Sequence, residues 1–171
     1  HMLDSKNSAV HVQTFIEADI TDLANWRDNQ KTKFLDSYGE KLTYTHPLIH
    51  IVSKVLRNFP ILNASLIDDK VIYKKDVNIG LATALQDGSL IVPVIKNADE
   101  LSLAGISKSS NSLVNKARNN NLNPDDVQDG TFTISNIGTF DNIMGTPIIN
   151  QPQLAISVSY THLTLPTNVQ V

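Results

Sequence analysis

Residues 77–95 constrain the fold of this chain more than any other stretch. Two apolar runs, 77–85 (VNIGLATAL) and 89–95 (SLIVPVI), flank Gln86-Asp87-Gly88. An Asp-Gly step between apolar runs is a hairpin-turn signal. Neither run alternates cleanly between apolar and polar residues. Both strands are therefore expected to be buried on much of both faces.

The rest of the chain has to cover that hairpin. Val10, Val12, Thr14, Ile16, Ala18 and Ile20 alternate with the period of a half-buried strand. Thr21 then caps a helix that carries Leu23, Trp26, Phe34 and Leu35. Thr45 or His46, ahead of Pro47, opens a second helix. Its apolar face holds Leu48, Ile49, Ile51, Val52, Val55, Leu56 and Phe59, and Pro60 stops it. Residues 63–67 and 70–75 read as a hairpin around Asp68-Asp69. Ser102 caps a further helix with Leu103, Ile106, Leu113, Val114 and Ala117 inward, and 119–123 is a loop. Asn123 caps one helical turn over 124–127, and 131–136 and 153–158 are strands. Helices and strands alternate irregularly, and short turns join several strands. The pattern predicts an α/β (α+β) fold, a mixed sheet with helices packed on it, in one domain without linker or repeat.

Composition removes several function classes. The net charge is −3 and the isoelectric point about 5.9, so there is no basic footprint for nucleic acid or an anionic membrane. The absence of Cys excludes disulfides, Cys-ligated zinc and a cysteine nucleophile. No apolar run approaches the ~20 residues of a membrane span, and no secretory signal is present. A cytoplasmic location is expected. His1-Met2 matches the scar of a cleaved affinity tag, and 1–9 is read as tag remnant and leader.

Two segments carry chemistry: 76–95 (DVNIGLATALQDGSLIVPVI) and 130–138 (GTFTISNIG). With Phe15, Trp26, Lys41-Leu42, Asn63-Ala64-Ser65, 87–97 and 148–156, they fall in one order and spacing. This set resembles the catalytic domain of the dihydrolipoamide acyltransferases, the core subunits of 2-oxo acid dehydrogenase complexes. The resemblance is continuous from 11 to 156, within a domain placed at 10–157. It implies the chloramphenicol-acetyltransferase-like fold. From Ser157 it fails, and the family's histidine motif, D-H-R-x-x-[DN]-G, is absent from the chain. Residues 158–167 (VSYTHLTLPT) resemble the translation of a transposase-type sequencing adapter, so 158–171 is read as a non-native tail on a truncated frame. Ser159-Tyr160-Thr161-His162 imitates the family's Ser-Tyr-Asp-His. However, Thr161 replaces the Asp and Leu163 the Arg, and the stretch comes too early, so His162 is not read as the base. The tail's β-formers predict that it extends the strand begun near Gln153.

The resemblance implies transfer of an acyl group between the thiols of dihydrolipoamide and coenzyme A. A histidine takes a thiol proton, the thiolate attacks the thioester carbonyl, and a strand hydroxyl donates to the oxyanion. Ser135 matches the hydroxyl donor. Without the resemblance it reads as a residue packed at a strand end. Thr133 shares its side-chain parity and either points into the same channel or serves as a β-branched strand former. Lys96 and Asn97 stand where the family approaches coenzyme A. Lys96 is a point charge for a phosphate or a solvated lysine at a strand end. Asn78 and Gly80 lie on the central strand, and Gly80 allows either close approach of a pantetheine arm or a bulge. Asn136 points to the other face and is structural. His46 and His50 have i,i+4 spacing but no H-E-x-x-H motif and no third ligand, so no metal site is expected. Asp125, Asp126 and Asp129 read as a helix start favoured by the dipole, and His11 carries no signal.

The family forms homotrimers with the active site at the subunit boundary, and trimers build cubic or dodecahedral cores. The lipoyl group rides on a separate domain, and the dehydrogenase subunits are further partners. Carried over, this makes the chain an acyltransferase that is inactive without its histidine. Two alternatives stand beside it: a non-catalytic assembly module and a chloramphenicol-type acetyltransferase. The 147–152 stretch (PIINQP) and 76–95 favour the dehydrogenase-complex family. The acyl group stays open among acetyl, branched-chain and succinyl.

Overall fold

Gly88 takes φ +81° and closes the hairpin expected at that point. Its N–H donates to Leu85 O at 3.2 Å, and Leu85 N donates to Ser89 O at 2.9 Å. The computed structural model describes residues 2–138 and 145–159. The hairpin's first arm, β3 (Ile79–Ala84), lies within a 5-stranded sheet. The returning arm is split into β4 (Leu90–Ile91) and β5 (Val94–Ile95), both antiparallel to β3. Pro93, which has no N–H to give, separates the two pieces, while its carbonyl accepts Leu81 N at 2.8 Å. On the other side β3 pairs in parallel with β6 (Phe132–Asn136), and β6 pairs in parallel with β7 (Ile156–Ser159). The order β4-β3-β6-β7 makes the sheet mixed, as expected.

Strand register sorts the side chains onto two unlike faces. Ile79, Leu81, Ile95, Phe132 and Ile134 share one face and are buried with Ile49, Leu56, Ile106 and Leu113 from two helices. These helices are α3 (Thr45–Leu56) and α4 (Leu103–Arg118). Burying one such side chain contributes about 1.5–3 kcal/mol. Ser102 caps α4 as expected, its Oγ accepting Gly105 N at 3.2 Å. Ile106, Leu113 and Ala117 then recur at helical spacing on the buried side. The opposite sheet face carries Gly80 and Ala82 beside Thr133 and Ser135. Small and hydroxyl side chains there leave room that the helix face does not have.

A separate hairpin, β1 (Ala64–Ile67) and β2 (Lys70–Tyr73), turns through Asp68 and Asp69, both with positive φ. Asn123 opens the single turn Pro124–Val127 as expected, and Asp126 Oδ2 accepts its N–H at 2.9 Å.

Four expectations need correction. Residues 10–20 form no strand, and Val12 and Ile16 are 86% and 87% exposed. Their alternation is real, but no neighbouring strand among the described residues supplies a ladder. Thr21 does not cap α2 (Thr21–Tyr38); it is the first helical residue, and Asp19 Oδ1 accepts its N–H at 2.8 Å and its hydroxyl at 2.6 Å. The apolar face of α3 is divided. Ile49 and Leu56 are buried, whereas Ile51 and Val55 face outward, since the six apolar positions within α3 span more arc than the sheet covers, and Phe59 lies beyond its end. The strand read at 153–158 begins only at Ile156 (β7), and Gln153 makes an isolated bridge with Ser65.

Residues 2–8 form α1 (Met2–Ser8), whose Ser5 is buried and donates to Ile149 O at 2.6 Å. Of residues 158–171, Val158 and Ser159 end β7; the remainder, His162 included, lies outside the described residues.

Candidate functional site

An open cleft of about 930 Å³ lies on the sheet face away from the helices. Asn78, Val94, Lys96, Asn97, Thr131 and Gln153 contribute to its lining. Asn78 is mostly buried and explains why an amide stands at the edge of an apolar strand. Its Nδ2 donates to Asp129 O at 2.9 Å, and its Oδ1 accepts Asn97 N at 2.9 Å. Asn97 and Asp129 both adopt positive φ, +47° and +58°. Asn and Asp are the non-glycine residues that tolerate this region. One side chain thus pins two left-handed backbone turns at the rim, a concentration of local strain typical of ligand sites.

Charge at the rim is mixed. Lys96 Nζ donates to Gln128 O and stands 3.5 Å from Asp129 Oδ2. Both partners are well exposed, so the pair holds Lys96 weakly. Lys74 and Lys75 also line the cleft and have no ion pair among the described residues. Asp76 and Asp129 line the same cleft, so three lysines face two carboxylates, and the surplus cation suits an anionic group more than an apolar one.

Gly80 and Thr133 lie beneath this cleft. A Cβ on Gly80 would stand 2.8 Å from Val92 Cγ1 and 3.1 Å from Thr133 Oγ1, so any side chain there must displace Val92 and crowd Thr133. Thr133 is 1% exposed, and its hydroxyl donates to Gln153 Oε1 at 2.6 Å. Ser135 lies farther along β6, four residues past Thr131, or about 13 Å at strand rise. It is half-buried, paired with Ala82 on one side and Val158 on the other. Its hydroxyl has no hydrogen-bond partner among the described residues. Asn136 points to the other face, where its Nδ2 donates to Thr45 Oγ1 at 3.2 Å.

The structure therefore brings Asn78, Lys96 and Asn97 together at the cleft and sets Thr133 and Gly80 under it, with Ser135 beyond. Sequence reasoning passed over Gln153, Lys74 and Lys75. The strand expected over 153–158 begins at Gln153, and nothing local to it signals a bond to Thr133.

Of the described histidines, His50 has its Nδ1 buried without a hydrogen-bond partner, and the other two are held by local contacts away from the cleft. His46 is 2% exposed, and its Nδ1 accepts Thr43 N at 3.2 Å. Burial pushes its pKa down from 6.5 to about 4, against a smaller upward pull from Glu40. His11 Nε2 accepts Ile149 N at 3.0 Å, so the ring proton sits on Nδ1, which donates to Ala9 O. Among the described residues no three acidic or histidine side chains converge on a metal position.

The family model for 2-oxoacid dehydrogenases acyltransferase (catalytic domain) matches residues 1–167. The lipoamide acyltransferase component of branched-chain alpha-keto acid dehydrogenase complex of Bacillus subtilis (strain 168) is 42% identical over 156 residues, 91% of this chain and 37% of that protein. A solved probable dihydrolipoamide acetyltransferase from Listeria monocytogenes 4b F2365 superposes with a TM-score of 0.88 at 41% identity, covering 91% of this chain and 66% of that one. The cubic core of the pyruvate dehydrogenase multienzyme complex gives a TM-score of 0.86 at 38% identity, covering 91% and 64%. The chain spans under two-fifths of the curated relative and about two-thirds of these solved chains. The fold is the chloramphenicol-acetyltransferase-like one that the sequence led us to expect.

Proposed function

Because the chain belongs to the family of 2-oxoacid dehydrogenases acyltransferase catalytic domains, we propose that it serves acyl transfer between dihydrolipoamide and coenzyme A. The observation that carries this reading is the Ser135 hydroxyl, held by parallel ladders on both sides and without a protein partner among the described residues. A donor fixed in this way costs no reorganisation when an oxyanion forms beside it. In the proposed reaction a base takes the proton of the attacking thiol, and the thiolate adds to the thioester carbonyl. Ser135 donates to the oxyanion. Collapse then breaks the carbon–sulfur bond, and the leaving thiolate recovers the proton. Lys96, Lys74 and Lys75 would receive the phosphates of coenzyme A at the cleft mouth, with Asn78 and Asn97 shaping the rim.

Residues 1–171 contain no D-H-R-x-x-[DN]-G motif. The reading is therefore of a chain that binds the acyl carrier but lacks an assigned base. That same observation favours a second reading, an assembly module without turnover. Self-association into a homotrimer and a cubic or dodecahedral core goes with either reading, as do a lipoyl group on another domain, dehydrogenase partners and a cytoplasmic location. Support for assembly comes from Trp26, Leu35 and Tyr38 on α2, a helix with no buried residue, and from exposed Val12 and Ile16.

The test measures coenzyme A binding, then transfer from acetyl-, isobutyryl- and succinyl-coenzyme A to dihydrolipoamide. Binding with turnover near background supports the acyl-carrier reading with its base missing. Absence of binding leaves the assembly module. Turnover that survives Ser135→Ala removes Ser135 from the chemistry.

A further inference from the structure

The Thr133–Gln153 pair leaves the Gln153 side-chain NH2 at the cleft without an acceptor among the described residues. Gln153 is 3% exposed, and its Oε1 is taken by the Thr133 hydroxyl at 2.6 Å. That bond fixes the amide plane and turns Nε2 the other way. Nε2 lies 3.1 Å from where a Cβ on Gly130 would stand, beside Val94, and both residues line the cleft. It has no acceptor among the described residues, yet it is not among the polar atoms sealed from solvent. An amide N–H without an acceptor is costly in a buried setting, and the cleft that Gln153 lines gives an acceptor a way to reach it. Val94 and Gly130 stand beside it, with Ser65 and Thr131 also on the lining, while the lysines stand at the rim.

We infer that Gln153 binds an amide carbonyl on the thiol-bearing arm of the substrate, and that Thr133 is the positioning residue that holds its side-chain amide. The inference rests on the acyl-transfer reading, in which the arm is the pantetheine of coenzyme A, whose amides lie between its phosphates and its thiol. An amide NH2 placed on the wall of the cleft sets how far the arm extends past the rim, and hence where the thioester stops along β6.

The test titrates the 171-residue chain with coenzyme A, pantetheine and adenosine 3′,5′-bisphosphate, followed by ligand-observed NMR. Gln153→Glu retains an acceptor for Thr133 and the side-chain shape but replaces the donor. It should weaken coenzyme A and pantetheine about tenfold, the scale of one lost hydrogen bond, and leave the bisphosphate unchanged. Thr133→Val should weaken the same two ligands by a smaller factor. An unchanged affinity of Gln153→Glu for pantetheine overturns the inference, as does an equal loss for the bisphosphate. Wild-type binding of pantetheine without either phosphate ligand, lost in Gln153→Glu, would overturn the coenzyme A reading and uphold Gln153. Binding of none of the three overturns both.

Discussion

Gly80 and Val92 approach so closely that a methyl group cannot be placed between them: a Cβ on Gly80 would meet Val92 Cγ1 at 2.8 Å. Thr133 Oγ1 closes the other side at 3.1 Å. The strand at Gly80 is extended, so the penalty of a side chain there is crowding and not backbone strain. Gly80→Ala should destabilise by about 1–3 kcal/mol through displacement of Val92 and Thr133. Because Thr133 orients Gln153, the same change should also weaken coenzyme A binding. Urea midpoints and ligand titrations on one preparation check both, and an unchanged urea midpoint would contradict the packing.

His46 should make stability fall with acid. Its pKa is about 4 in the fold and near 6.5 when unfolded. Between those values the unfolded chain binds the extra proton, so stability rises with pH across that window and is lost as pH falls through it. The full effect is at most about 3 kcal/mol, reached near pH 4. His46→Gln should flatten this dependence while lowering stability at pH 7, because the Thr43 N–H contact is disturbed. Urea unfolding from pH 4 to 7 measures the slope, and an equal slope in the variant would remove His46 as its source.

Local chemistry made much of this fold readable in advance. Asp68-Asp69 and Asp87-Gly88 announced their turns because few residues accept positive φ, and both turns are where they were expected. Ser102 with Ile106, Leu113 and Ala117 announced α4, since cap and period agree. Residues 10–20 misled because alternation describes a strand's faces but not its partner, and a strand needs one. Helix α2 is legible, but nothing in its sequence says that none of its apolar residues is fully buried within the described chain. For the candidate site, Ser135, Asn78 and Lys96 were visible through resemblance. Gln153 was not, because its role depends on a hydroxyl 20 residues away that only the β6–β7 crossover brings near.

The Arg57–Asp99 pair ties α3 to the cleft rim. Asp99 is 5% exposed and Arg57 47% exposed at the side chain. The guanidinium bonds Asp99 Oδ2 and also gives Nη1 to Lys75 O at 2.9 Å. Arg57→Met strands a buried carboxylate, and should cost about 3 kcal/mol, the low end for a broken buried pair because water can reach Arg57's place. Asp99→Asn strands no buried charge and should cost less. Chemical denaturation of the two single variants and the double variant checks the order. A larger loss for Asp99→Asn would reverse the assignment of which charge needs the other.

Ser135→Ala separates chemistry from stability. The hydroxyl has no hydrogen bond among the described residues and sits half-buried between Ala82 and Val158. Its removal should leave the unfolding midpoint within about 0.5 kcal/mol of wild type, as for substitutions that break no buried contact. Thr133→Ala, by contrast, breaks the 2.6 Å bond to buried Gln153 and should cost about 1–3 kcal/mol. In a chain supplied with the family's histidine segment, Ser135→Ala should lower kcat about 10²–10³-fold with KM for coenzyme A little changed, the signature of a donor that acts in the transition state. Parallel denaturation and steady-state rates read the two effects. A stability loss at Ser135 equal to that at Thr133 would mark it as a packing residue, and a change confined to KM would move it from the chemistry to ground-state binding.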